Sequence, residues 1–199
     1  MSTKMRSAEF DREEVLRSAM EVFISKGYAK TSMQDLKSAT GLHPGSIYCA
    51  FTNKRGLLLA ALDQYGVESQ TSFEAHFEGQ SSTLSALKGY LASVVDECER
   101  EEIKDCLLQK SLSELSQQDE EVESVISGLM GKWRHAIKLK LEQAQKQGEI
   151  ADERDCNEIA EFLVMGIYGI RTFSHTNPPK GTLTRLADQL FDYVQKESP

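Results

Sequence analysis

The stretch TGLHPGSIYCAFTNK, residues 40–54, limits the fold more than any other part of this chain. It places Gly41, Pro44 and Asn53 among residues that otherwise repeat at helical spacing. Glycine just past a helix stops it by taking the left-handed conformation there. Proline suits the first turn of the next helix, where its missing N–H would have no partner anyway. Asparagine caps a third helix by accepting a backbone N–H. The phrase therefore predicts a helix ending at Gly41, a short helix from Pro44 to about Ala50, and another from Lys54, with Ile47 and Phe51 pointing inward.

Upstream, Phe10, Val15, Leu16, Ala19, Met20, Val22 and Phe23 recur near helical spacing as far as Lys26, and Gly27 supplies the stop. A second helix opens at Thr31-Ser32, with Met33, Leu36 and Ala39 on one side. Two short helices joined by a tight turn with a glycine in it, packed on a longer first helix, form a helix-turn-helix unit. Downstream the spacing predicts helices near 54–78, 83–101, 106–117, 119–147, 154–176 and 182–196. No β-type alternation and no internal repeat is present. The expectation is an all-α chain of about nine helices. Residues 1–56 form a helix-turn-helix domain and 57–199 a larger helical domain, with the fourth helix linking the two.

Charge divides along the same line. The chain is 40% hydrophobic with a formal net charge of −8, but residues 1–56 hold nine Lys/Arg against six Asp/Glu. A mildly basic head on a strongly acidic body suits a small polyanion-binding module on an acidic scaffold. The longest apolar stretch, Phe162–Ile170, is too short to span a bilayer. The first residues have no apolar core of the signal-peptide kind. No membrane association is expected, and the cytoplasm is the expected compartment. Cys49, Cys98, Cys106 and Cys156 stand alone without metal-ligand spacing, so free thiols are expected and zinc is not. No Glu stands three residues before His43, His76, His135 or His175, and no phosphate-cradling glycine loop occurs. Neither a cofactor nor an enzymatic constellation is expected.

Gly27-Tyr28, Thr31-Ser32-Met33, Leu36, Ala39, Gly41, Gly45-Ser46-Ile47-Tyr48, Phe51, Asn53-Lys54 and Leu57-Leu58 together resemble the N-terminal domain of TetR-type transcriptional repressors. The resemblance covers roughly residues 10–60; beyond it, only length and helical plan match. It implies that the third helix enters the major groove of duplex DNA while the second and fourth helices touch flanking phosphates. On a helix starting at Pro44, Gly45 and Ser46 lie in the first turn, where small side chains permit close approach to base edges. Tyr48 can offer its phenol to a phosphate, whereas Phe51 is read as core. Lys54 opens a helix whose N-terminus already favours an anion. Thr31 and Ser32 stand in the same relation to the second helix, with Gln34 pointing onward. The expected DNA contacts are thus Thr31, Ser32, Gln34, His43, Pro44, Gly45, Ser46, Tyr48 and Lys54. His43-Pro44 and Ala50 depart from the family's usual residues at those places.

The body carries three further expectations. The run DCLLQKSLSEL resembles the start of the sixth helix in a TetR subgroup, some of whose members respond to electrophiles or oxidants. Cys106 is therefore a candidate sensor: Lys104 and Lys110 would lower its pKa and Asp105 would oppose them, and a buried inert thiol is the alternative. The apolar stripe of 154–176, together with 182–196, is read as a homodimer interface centred on Phe162, Gly166, Ile170, Leu190 and Phe191. The alternative is that both helices close the body's own core. A two-fold dimer calls for a palindromic operator. Trp133, Phe73, Phe77, Tyr90, Tyr168 and Phe173 supply the body's aromatics and read first as helix core; a few of the six are candidates to line a small-molecule inducer cavity between the fourth and eighth helices, and spacing singles out none of them. The overall expectation is a repressor released by a small ligand or a thiol-reactive signal.

Overall fold

Capping chemistry sets the helix boundaries. In the computed structural model, which describes residues 11–100, 107–115 and 118–195, α1 (Arg12–Lys26) starts at Asp11, whose carboxylate accepts the N–H groups of Glu13 and Glu14 at 3.0 and 3.2 Å. α2 (Met33–Thr40) starts in a capping box between Ser32 and Asp35 and ends at Gly41 in the left-handed region. α3 (Pro44–Phe51) has Pro44 in its first turn, and α4 (Lys54–Ala75) is capped by Asn53, which accepts Gly56 N–H at 2.8 Å. The remaining helices among the described residues are α5 (Thr83–Glu99), α6 (Leu107–Leu115), α7 (Glu120–Lys146), α8 (Cys156–Ser174) and α9 (Thr182–Gln195). No described residue is in a strand. No helix among them is long and apolar enough to cross a membrane.

The buried side chains fall into two separate cores. The first joins Val15, Leu16, Ala19, Met20 and Phe23 of α1 to Leu36, Ile47, Phe51 and the Leu57–Leu62 segment of α4. It also takes Leu107, Leu108 and Leu115 of α6, and Val122 and Ile126 of α7. The second joins Phe73 at the far end of α4 to α5, the second half of α7, α8 and α9. Thus α6, which follows α5 in sequence, packs its leucines into the head. Ala39, expected inward on α2, is exposed, and Leu36 alone of that helix is buried.

α4 and α7 connect the two cores and run side by side in the same direction. Arg55 meets Asp119 at their starts, Leu129 packs over Gly66 midway, and Lys140 pairs with Glu74 at 2.5 Å further on. Between the cores lies a waist, residues 63–72 of α4 and 127–135 of α7, in which no residue is fully buried. A chain of partly buried aromatics spans it. The Trp133 indole N–H donates to the Tyr90 hydroxyl at 3.1 Å, Tyr90 packs edge-on against Phe73, and Trp133 lies 6.1 Å from the Tyr168 ring.

Much of the apolar stripe of α8 packs inside the subunit. Ile170, Leu190 and Phe191 are buried in the second core, and Phe162 stacks on Tyr193 of α9 with ring centres 4.2 Å apart. Gly166 does permit a close approach, but by Leu190 of its own chain: a β-carbon at Gly166 would overlap that side chain. Helical periodicity shows which face is apolar and is silent on which neighbour covers it. Gly166→Ala should therefore destabilise the fold by about 1–3 kcal/mol through overpacking. Gly89→Ala, on an exposed turn of α5 with no atom within 4 Å of the added carbon, should stabilise it by roughly 0.5–1 kcal/mol. Urea unfolding of the two variants checks the opposite signs.

Candidate nucleic-acid interface

α3 is held from below and open above. Ile47 and Phe51 are buried, while His43, Gly45, Ser46, Tyr48 and Cys49 are exposed, Tyr48 by 51%. His43 is the N-cap: its Nδ1 accepts Gly45 N–H at 3.3 Å, and its carbonyl accepts Ser46 N–H at 2.8 Å. Pro44 is partly buried beside it. The first turn of α3 therefore shows only small side chains and backbone, flanked by an imidazole and a phenol. That is a surface able to approach base edges closely.

α2 presents a second row. Gln34, Lys37 and Ser38, at helical spacing on the face away from Leu36, are all exposed. Lys37 and Ser38 were not among the expected contacts, although their spacing from Gln34 was readable. Lys30 and Lys37 are exposed and, among the described residues, no carboxylate lies within ion-pairing distance of either.

Three expected phosphate contacts have other duties. Thr31 is buried, and its hydroxyl donates to the Gly27 carbonyl at 2.6 Å. Ser32 is exposed, but its hydroxyl donates to Asp35 Oδ2 at 2.7 Å. Asp35 also accepts from Lys26 at 2.5 Å, and Lys26, then Ser32, holds its carboxyl well below the usual range. An anion thus already occupies the start of α2. Lys54 turns inward: its ammonium donates to the carbonyls of Tyr28 at 2.8 Å and Thr31 at 2.9 Å and sits 4.2 Å from the centre of the Tyr28 ring. Burial pushes the Lys54 pKa down, and nearby Glu114 opposes that shift. This residue ties the start of α4 to the α1–α2 turn.

Arg55 is committed as well. It forms a two-pronged pair with Asp119, Nε to Oδ2 at 2.5 Å and Nη2 to Oδ1 at 2.7 Å, and reaches Glu121 at 2.7 Å. The guanidinium hydrogen bond holds the Asp119 carboxyl down at about 2. Cys106 lies outside the described residues. Of the other thiols, Cys49 is exposed on α3, and burial raises the pKa of Cys98 and Cys156. No group of three metal-ligating side chains occurs among the described residues.

A family model described as "Bacterial regulatory proteins, tetR family" matches residues 15–61, and one described as "Tetracyclin repressor-like, C-terminal domain" matches residues 83–190. The chain belongs to the TetR family. Among its TetR relatives, the HTH-type transcriptional repressor ComR of Escherichia coli K12 is 32% identical over 168 residues, covering 83% of this chain and 80% of that protein. The uncharacterised regulator YezE of Bacillus subtilis is 29% identical, covering 79% and 82%. A TetR regulator from Chloroflexus aurantiacus shares the fold with a TM-score of 0.82 at 24% identity, covering 94% of each chain. A cysteine mutant of CifR, solved with a 26 bp double-strand operator DNA, does so with a TM-score of 0.83 at 24% identity, covering 94% and 98%.

Within this TetR head, Lys54 and Lys37 should separate stability from DNA binding. Lys54→Met keeps the aliphatic stem but leaves two carbonyls without their donor, and should cost about 1–3 kcal/mol in thermal or urea unfolding. Lys37→Ala should leave stability within about 0.5 kcal/mol. It should also lower the slope of log affinity against log salt by about one unit on any duplex.

Proposed function

We propose that this TetR-family regulator is a repressor that binds a palindromic operator in duplex DNA as a homodimer in the cytoplasm. A small ligand or a thiol-reactive signal acting on the body releases it. The observation that carries the reading is α3: a helix anchored by Ile47 and Phe51 that displays Gly45 and Ser46 in its open first turn. Lys30, Lys37, Tyr48 and Gln34 surround that turn and supply phosphate contacts, while Ser46 and Gly45 meet bases. The repressor name of ComR and the operator bound to CifR support the same reading. Its relatives are regulators, which favours a non-enzymatic role.

Selection from random duplexes followed by gel shift tests it. The wild type should enrich inverted half-sites, and Ser46→Arg or Gly45→Asn should change the enriched sequence. Tyr48→Phe should weaken binding to all duplexes alike. Failure to enrich any sequence, or an unchanged preference in both α3 variants, would remove α3 as the reader.

The dimer surface follows from what α8 leaves uncovered. Met165 and Phe173 are exposed by 63% and 43%, and Gly169 lies between them on the same face. Phe162 and Tyr193 border this strip. Two copies of this face make the interface in our reading, with Ile170, Leu190 and Phe191 as its supporting layer. Met165→Glu combined with Phe173→Glu should give a monomer in sedimentation equilibrium at micromolar concentration, with the helical content kept. A dimer that survives both charges would place the interface elsewhere.

The inducer site is assigned to the waist between the two cores, against Tyr90, Trp133, Tyr168 and Met130. Tyr168 donates its hydroxyl to the Met130 sulfur at 2.6 Å, and with Trp133 and Tyr90 it offers ring faces and hydrogen-bonding tips together. Such a lining suits a mostly apolar molecule with a few polar atoms.

A further inference from the structure

α6 reaches both halves of the molecule. Its leucines are buried in the head's core. Near its start, the Gln109 amide donates to the Thr172 hydroxyl on α8. Near its end, Glu114 leaves the body altogether. Its Oε2 accepts the backbone N–H of Ala29 at 3.0 Å, in the turn between α1 and α2. The carboxylate lies so close over Gly27 that a β-carbon there would overlap it, and Gly27 itself sits at φ +78°.

The same turn is held from its other side by Lys54, through the carbonyls of Tyr28 and Thr31. Residues 27–31 thus carry an anion on their N–H side and a cation on their C=O side, and the anion comes from α6. A charge-assisted bond to a backbone amide is shorter and stronger than a neutral one, and it has a direction that the leucine packing around it lacks. It fixes one point of the turn, at the Ala29 amide. The neighbouring Arg55–Asp119 pair fixes a second point, at the start of α7. Together with the continuous α4 helix, which contributes to both cores, these two points set an orientation.

We propose that Glu114 is the positioning residue through which α6 sets the orientation of the helix-turn-helix head on the body, by its bond to the Ala29 amide. In a two-fold dimer that orientation decides the separation of the two α3 helices, and hence the half-site spacing that the protein accepts. This consequence rests on the dimeric operator reading above; the Ala29 contact does not.

The full-length chain is compared as wild type, Glu114→Ala and Glu114→Gln, the last keeping an acceptor for the Ala29 N–H without the charge. Two readouts are taken. Amide exchange at Ala29 is followed in the DNA-free protein, and half-site spacing is read from random-duplex selection. Glu114→Ala should speed exchange at Ala29 by about tenfold, the loss of one charge-assisted bond. It should also enrich the wild-type half-site over a spread of spacings. Glu114→Gln should restore the single spacing and much of the protection, and both variants should keep the wild-type far-ultraviolet helical signal. A single unchanged spacing in Glu114→Ala, equal loss in both variants, or unchanged Ala29 exchange would overturn the proposal. A wild type that enriches unpaired half-sites would instead count against the dimeric operator, and the Ala29 exchange would then decide on Glu114 alone. Should Glu114→Ala lose its helical signal, exchange and spacing in Glu114→Gln decide: wild-type behaviour supports the positioning bond, and loss of both refutes it.

Discussion

Two long helices with one end in each core are the constraint on which the rest of this molecule depends. α4 gives Leu57, Leu58, Ala61 and Leu62 to the head and Phe73 to the body, while α7 gives Val122 and Ile126 to the head and Ala136, Ile137 and Leu141 to the body. At ~1.5 Å per residue, the 22 residues of α4 span about 33 Å. A single helix of that length would bend and rotate at its ends. Lying parallel, and tied at Arg55–Asp119 and Glu74–Lys140, the two act as one strut. The position of α3 is therefore decided by how the head is fastened to that strut.

The charges near the start of α4 take a different meaning from this arrangement. Lysine at a helix N-terminus, beside a DNA-reading phrase, reads as a phosphate ligand. In the structure Lys54 satisfies carbonyls in the α1–α2 turn, and Arg55 satisfies carboxylates at the start of α7. Lys54 is an internal strut of the head and Arg55 ties the head to α7, whereas Lys30 and Lys37 stay exposed. The head's positive excess is smaller at its surface than a count of its basic residues suggests.

Much of this was legible in the sequence because it is local. Gly27, Gly41, Pro44 and Asn53 marked the helix boundaries, and the structure puts the boundaries there through caps that span three or four residues. Ile47 and Phe51 followed from helical spacing. What stayed hidden depends on partners far along the chain. Lys54 is bonded to residues 23 and 26 positions upstream, and Glu114 to one 85 positions upstream. The leucines of α6 fall within the larger domain by their place in the chain, yet they are buried in the head. The stripe on α8 was correctly read as apolar, but the identity of its cover, α9 of the same subunit over Gly166, is a tertiary fact.

The waist has a consequence for divergence among proteins of this architecture. None of residues 63–72 or 127–135 is fully buried, and only Tyr65, Leu129, Met130 and Trp133 among them are apolar side chains packed against a core. Substitutions outside the cores typically change stability by only about 0.5 kcal/mol. A lineage can therefore exchange the exposed waist positions, such as Val67, Thr71, Lys132 and His135, many times without approaching its unfolding threshold. If the waist receives the signal, as proposed above, new signals can be acquired there while the reading head stays as it was.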